Sequence, residues 1–405
     1  MEKNILPIKK AVLVFSVFAS GYFISALLRA ITATLSPVLT SEFILTAGDL
    51  GLLAGGYFLG FATMQIPLGY LLDRHGPKKV VSSFLLIAII GTIAFALSQN
   101  FAGLLISRIL IGVGVSACLM APLTGYRIWF ADEYQQRANA WMLTVLSLGF
   151  VFSTLPVQVL LPMIGWRWIF GGIAFLIFIV IVLTIFFIPS WKNEPDETLE
   201  KNPGLLSDVW KNKFFRSTIP LGLFNYGGMV AIQTLWAGPW MVRVAGYSPL
   251  ESAKGLFLIN TTMLVAFFIF GYILPKITKL GFETMRLMKF GLPISYLSLL
   301  FIIISGENAG TLHFTIYILT SIVLTLTQPA VALSFPTSLA GKSLTSFNLL
   351  IFVGTFLMQW GIGLVIDLCQ FLGKGEIQSF QISFFVYFVI CILCYLYFVL
   401  NNKNE

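Results

Sequence analysis

The sequence predicts an all-α integral membrane protein of twelve transmembrane helices, arranged as two pseudo-symmetric six-helix bundles. Three observations predict it. Of the 405 residues, 58% are hydrophobic and 10% charged, whereas a soluble domain carries about 25% charged residues and needs them to face water. Twelve apolar runs are long enough to supply the roughly 20 residues that a membrane-crossing helix requires. A polar stretch of 27 residues, Pro189 to Phe215, containing "WKNEPDETLEKNPG", divides these runs six and six. The expected organisation is therefore a first bundle over 1–188, a linker over 189–215 and a second bundle over 216–405.

The first six spans run Ala11–Val38, Leu50–Leu72, Val80–Leu97, Phe101–Leu123, Ala138–Leu161 and Trp168–Ile188. The second six run Arg216–Met241, Ala253–Leu274, Thr284–Ile304, Thr311–Val331, Ser343–Ile366 and Phe380–Leu400. The amino-terminal "MEKNILPIKK" is basic and leads into a span too long for the short apolar core of a cleaved signal. Sorting the 25 lysines and arginines by loop puts nineteen on the side of the amino terminus and four opposite, with Arg29 and Arg108 inside spans. Basic residues collect in cytoplasmic loops, so this bias predicts a multi-pass protein of the bacterial inner membrane with both termini cytoplasmic. It also accounts for the net charge of +8 without any nucleic-acid partner.

Several function classes are disfavoured. Cys118, Cys391 and Cys394 lie within apolar runs and Cys369 follows one. The CxxC spacing of Cys391 and Cys394 stands alone, with no histidine or second pair nearby, so the two read as small apolar residues of a helix. The only histidines, His75 and His313, fall on opposite sides of the predicted membrane. No metal or cofactor is expected. A membrane enzyme would need clustered His, Asp, Cys or Ser at one membrane face, and the sequence holds no such cluster. The expected partners are a small-molecule substrate and the lipid bilayer, with the chain working as a monomer.

The two halves share a pattern. Span two ends in "GYLLDRHGPKK" and span eight in "GYILPKITKLG", both opening Gly-Tyr-aliphatic-Leu at the cytoplasmic end. Such a duplication is a common plan in secondary transporters. The first copy resembles the signature loop of the major facilitator superfamily, with Gly69, Asp73, Arg74, Gly76, Lys78 and Lys79 matching and Pro77 in one basic slot. "LLISRILIGVG" is similar to the family's helix-four signature through Leu104, Arg108, Gly112 and Gly114, and "GWRWIF" to the approach to helix six. The resemblance implies transport by alternating access, with helices one, four, seven and ten lining the cavity. It also implies that Asp73 caps the positive amino terminus of the eleventh helix, near Ser343, as a cytoplasmic latch, since a carboxylate is favoured there. Arg74 would pair with Asp132 or Glu133, and Gly76 would permit a tight turn. Two departures stand out. Pro275 replaces the acid in the second copy, which makes the switch asymmetric. The glycine-rich exporter motif of helix five is reduced to Pro156 in "LGFVFSTLPVQVL".

An ionisable residue inside a span is expensive and marks a functional pathway. Arg29 and Arg108 lie at similar depth, roughly 5 to 8 Å outward of their helix centres at 1.5 Å per residue. Two arginines on one cavity would attract an anion, most naturally a carboxylate gripped at two points. No span holds an Asp or Glu, so the buried carboxylate of many proton-coupled transporters has no counterpart here, and the outlying acids, Asp367 among them, sit at span ends. In helix seven, "GLFNYGGMVAIQTLWAGPW" offers Asn225, Tyr226, Gln233 and Trp236 as further substrate contacts, in a helix weakened by Gly227, Gly228 and Pro239. Gly56 and Gly60 have the GxxxG spacing of close helix packing. The sequence thus points to a secondary active or facilitative transporter of a small organic anion or zwitterion, carboxylate or amino-acid-like. An efflux pump for amphipathic compounds, which the 38 phenylalanines would suit, is the alternative.

Overall fold

The computed structural model describes residues 5–190, 206–279 and 284–402. The linker motif "WKNEPDETLEKNPG" lies outside the described residues, and so do the side chains of "GYILPKITKLG" from position 274 onward. The described residues form helices: α1 (Ile8–Phe43), α2 (Ala47–Thr63), α3 (Gln65–Leu97), α4 (Phe101–Val115), α5 (Ala117–Trp129), α6 (Asp132–Phe152) and α7 (Leu155–Phe187). After the linker come α8 (Leu206–Lys211), α9 (Lys213–Pro220), α10 (Gly227–Ala231), α11 (Ala237–Arg243), α12 (Pro249–Lys279), α13 (Thr284–Ser305), α14 (Thr311–Thr320), α15 (Thr327–Leu333), α16 (Thr337–Phe371) and α17 (Glu376–Asn401).

Among the described residues nine helical stretches are long and apolar enough to cross a bilayer. The expected twelve crossings are nevertheless all present, because helices and crossings do not coincide one to one. The third helix bends at Gly76 (φ 76°, ψ 164°) and the seventh at Gly165 (φ 75°, ψ 158°). That backbone region is open essentially to glycine alone. At each bend one crossing ends and the next begins. Pro77 follows the first bend at a helix's opening position, where its missing N–H costs nothing. The second crossing is therefore α2 continued into α3 as far as Leu72, with Asp73 beyond its end and the turn at Gly76, and the fifth is α6 continued toward the bend at Gly165.

The seventh crossing is the least regular. Between α9 and α11 the chain winds as a π-helix over Leu221–Tyr226, a turn of α10, and a second π-helix over Ile232–Trp236. The glycines read as weak points sit here. A side chain on Gly227 would strike the backbone of Gly354, and one on Gly228 the ring of Tyr387. The tenth crossing, α14 to α15, is likewise tightened to a 3₁₀-helix over Ser321–Leu326. Wide and tight turns of this kind cluster at functional and hinge positions.

The chain forms two compact units. The first comprises residues 1–35 and 56–195, the second 36–55 and 196–405. In the first unit, α2 meets α4 without side chains between them: a Cβ on Gly60 would overlap the carbonyl of Ile109, and one on Gly112 the carbonyl of Tyr57. The GxxxG spacing is therefore used for close packing, and the helix-four glycine is its partner. In the second unit, Val209, Phe215, Val331, Phe347, Leu350 and Ile351 form a buried cluster at the foot of the seventh crossing.

Candidate functional site

The close approach of α2 and α4 determines what surrounds Arg108. Gly112 is one turn further along α4, and its contact with the backbone of Tyr57 brings the guanidinium of Arg108 to 5.5 Å from the Tyr57 ring centre. Arg108 is 0% exposed. Its Nη1 donates to the carbonyl of Leu28 on α1 at 2.9 Å, while its buried Nε and Nη2 have no hydrogen-bond partner among the described residues. A buried donor without a partner costs its full desolvation energy, about 1–3 kcal/mol and more for a charged group. The fold carries that cost here twice over.

Arg29 reaches the same place from α1. It is 7% exposed, and its guanidinium lies 5.8 Å from the centre of the Tyr57 ring and 5.4 Å from that of Phe61. One tyrosine ring thus serves two cations. Tyr57 is itself fixed: its hydroxyl meets Ser25 Oγ at 2.9 Å and donates to the Ser25 carbonyl at 3.0 Å, and its ring stacks on Phe61. The two arginines expected from the sequence are therefore brought together, on a platform of Ser25, Tyr57 and Phe61 that the sequence reading did not include. A GxxxG run with an aromatic residue beside each glycine, Gly56-Tyr57 and Gly60-Phe61, was the available signal.

The second unit holds the other candidates, and each is tied into interhelical hydrogen bonds. Asn225 Nδ2 donates to the Tyr296 hydroxyl at 2.8 Å and to the Cys391 carbonyl at 3.2 Å, leaving its buried Oδ1 unpartnered among the described residues. Gln233 Nε2 donates to Asn260 Oδ1 at 3.0 Å and also meets Met263 Sδ. Trp236 is 0% exposed, and its indole N–H donates to the Gln359 carbonyl at 3.1 Å. Tyr226 is half-buried and packs against the Phe215–Phe347 cluster. Trp236 is buried and bonded to α16, and Tyr226 is half-buried beside the cluster. Asn225 keeps an open acceptor.

The signature loop is partly as expected. Gly76 makes the turn. Asp73 is exposed and takes no hydrogen bond or ion pair among the described residues. Desolvation by its neighbours raises its carboxyl above the ordinary 3.8, an effect that the nearby charge of Arg127 offsets only in part. Arg74 Nη1 donates to the Tyr70 hydroxyl at 2.9 Å, one helical turn away. Gly69 is exposed with nothing within 4 Å of an added Cβ, Lys79 is exposed and Lys78 half-buried.

Residues 18–359 match the family model of the Major Facilitator Superfamily. The chain belongs to this superfamily. It is 22% identical over 259 residues to the probable sulfoacetate transporter SauU of Cupriavidus necator, covering 59% of each chain. It is 30% identical over 252 residues to the inner membrane transport protein YajR of Escherichia coli, covering 60% of this chain and 52% of that one. These matches span little more than half the length of the relatives. Among solved structures, the POT family transporter PepTSo superimposes with a TM-score of 0.78 at 15% identity, covering 97% of this chain and 98% of that one. The chain is thus a multi-pass membrane protein with the fold of this superfamily.

Proposed function

We propose that this facilitator carries a small organic anion or carboxylate-bearing zwitterion across the bacterial inner membrane by alternating access, as a monomer with both termini cytoplasmic. The observation that carries the reading is Arg108. Two nitrogens of a fully buried guanidinium, Nε and Nη2, have no partner among the described residues, and no span contains an acid to neutralise it. A carboxylate or sulfonate supplies both missing acceptors and the missing charge at once. Arg29, whose guanidinium also approaches the Tyr57 ring, adds a second cation for a second acidic group or a delocalised one. The relative named as a sulfoacetate transporter is consistent with an anionic cargo. With no acid inside a span, uniport or exchange fits better than proton coupling through a buried carboxylate. Cysteine or protease accessibility from each face of the membrane tests the orientation.

Counterflow in proteoliposomes across a panel of mono- and dicarboxylates, sulfonates, amino acids and organic cations tests the substrate class. Exchange of anions is expected. Exchange of cations alone overturns the reading. A second reading, export of amphipathic compounds, is favoured by an apolar groove of about 480 Å³ in the first unit, lined by Phe15, Phe23, Leu148, Leu176 and neighbours. None of its lining residues is an arginine, so the same panel extended with amphipathic dyes separates the two readings.

A further inference from the structure

The amino terminus of α2 is capped twice, and the second cap comes from the far end of the chain. Locally, Thr46 and Asp49 form a reciprocal box: Asp49 N donates to Thr46 Oγ1 and Thr46 N to Asp49 Oδ2, both at 3.1 Å. That leaves the amides of Ala47 and Gly48. Both donate to one carboxylate, that of Asp367 on α16, at 2.9 and 2.8 Å. A carboxylate at this place answers both the open amides and the positive helix end.

The contact below the cap is backbone on backbone. A Cβ on Gly51 would overlap the carbonyl of Gln359, and one on Gly363 the carbonyl of Ala47. Gly55 instead faces the ring of Phe356. Residues 47–55 therefore lie flush on residues 356–367 inside the second unit, although by sequence they belong to the first half of the repeat. The remainder of α2, from Gly56 on, belongs to the first unit and carries Tyr57. The loop before α2 follows the first span, on the side opposite the amino terminus.

We infer that the Asp367 carboxylate and the glycine-cleared seam beneath it form a latch at the outer end of the transporter. Closing the outer side seats residues 47–55 on α16. Opening it returns the Ala47 and Gly48 amides to water, while the Thr46–Asp49 box keeps the helix end formed. The latch rests on the alternating-access reading. It supplies, on the outer side and from the second half, the kind of carboxylate-to-helix contact that the sequence led us to expect of Asp73 on the inner side.

The test is the accessibility of Leu50, which is 2% exposed beside the seam. Leu50→Cys is placed in the full-length chain with Cys118, Cys369, Cys391 and Cys394 replaced, and labelled in right-side-out vesicles with a membrane-impermeant maleimide. Asp367→Ala is expected to raise the labelling rate about a hundredfold or more, as two charge-assisted hydrogen bonds are lost. Asp367→Asn, which keeps one acceptor, falls between. A second reporter, Ile111→Cys, is 0% exposed in the first unit and is expected to stay unlabelled throughout. Equal labelling of Leu50→Cys with and without Asp367 overturns the latch. So does labelling of Ile111→Cys in the Asp367→Ala background, because the effect is then unfolding. No substrate is needed, so a counterflow result that overturned the anion reading would leave this one standing.

Discussion

Replacing Arg108 with methionine should separate transport from stability, and in opposite directions. Methionine keeps an unbranched apolar stem of similar reach. The change removes one hydrogen bond to the Leu28 carbonyl and one cation–π contact with Tyr57 at 5.5 Å. Those losses amount to about 1.5–3 kcal/mol for the charged hydrogen bond and up to about 2 kcal/mol for the desolvated cation–π contact. Against them stands the desolvation of a fully buried ion, several kcal/mol in real proteins. Apolar replacement of buried ionic groups is often neutral or stabilising by about 1–4 kcal/mol. The ligand-free variant should therefore melt at the wild-type temperature or above it. Anion binding should collapse: two hydrogen bonds at about 1.5–3 kcal/mol each correspond to roughly 10²- to 10⁴-fold in Kd at 1.4 kcal/mol per decade. The assay is thermal unfolding in detergent with and without the organic acids that exchange in counterflow. A ligand-free variant that melts far below wild type yet keeps its ligand-induced shift and its counterflow would refute the reasoning, since Arg108 would then be a structural residue.

Tyr57→Leu removes the ring shared by both cations and, at about 0.5–2 kcal/mol per contact, should weaken half-saturation in counterflow by tens-fold. Tyr57→Phe, which loses only the bonds to Ser25, should cost a few-fold. Trp236→Phe keeps the buried aromatic volume and gives up one bond to the Gln359 carbonyl, so transport should stay within a few-fold of wild type while the melting temperature falls slightly. Asp73→Asn should cut uptake without reducing the amount of protein in the membrane; unchanged uptake removes its latch role. The pH sign for Asp73 follows from its raised carboxyl. Its proton is bound more tightly in this conformation than in a free chain, so lowering the pH through the raised value toward 3.8 favours this conformation over one that holds Asp73 charged against a helix end, and Asp73→Asn should flatten that dependence in an accessibility assay. Gly76→Ala, at φ 76°, should lower unfolding stability by about 1–3 kcal/mol through backbone strain.

The crossings were legible because each needs a long apolar run, and the runs survive every irregularity of the backbone. Their boundaries were not. Gly76 and Gly165 bend a helix without interrupting its hydrogen-bonded course enough to look like a loop. The π-turns of the seventh crossing follow from tertiary packing of Gly227 on Gly354 and Gly228 on Tyr387, which no local pattern encodes. The two arginines were legible because charge inside a span has no inexpensive explanation. Tyr57 was not, since an aromatic residue in a membrane helix is ordinary until its neighbours are known. For the polar residues of the seventh crossing, the signal of polarity in an apolar run was real. Its meaning depended on partners such as Tyr296, Asn260 and the Gln359 carbonyl, far away in sequence. Asp367 was visible only as an acid at a span end, because its two partners lie 319 and 320 positions away.

Two of these features share α2, and that bears on how binding is linked to gating. That helix carries the capped amides at 47 and 48 and the aromatic platform at Tyr57, while the signature acid Asp73 lies on α3 beyond the break at Met64. At 1.5 Å per residue the platform lies about 15 Å from the capped amides. The helix is held on α4 by glycine contacts at Gly60 and Gly112 and on α16 by glycine contacts at Gly51 and Gly363. Backbone-on-backbone contacts of this kind have no flexible side chain to absorb a displacement, so they are kept or broken as a whole. A ligand held by Arg29 and Arg108 acts on the Tyr57 ring that both guanidiniums approach. A ligand shifts a conformational equilibrium only by its differential affinity for the two states, so a saturating anion that exchanges in counterflow should change the labelling rate of Leu50→Cys. In the Arg108→Met variant the same anion should leave that rate where it was. If the anion changes it equally in both, the coupling does not run through this helix.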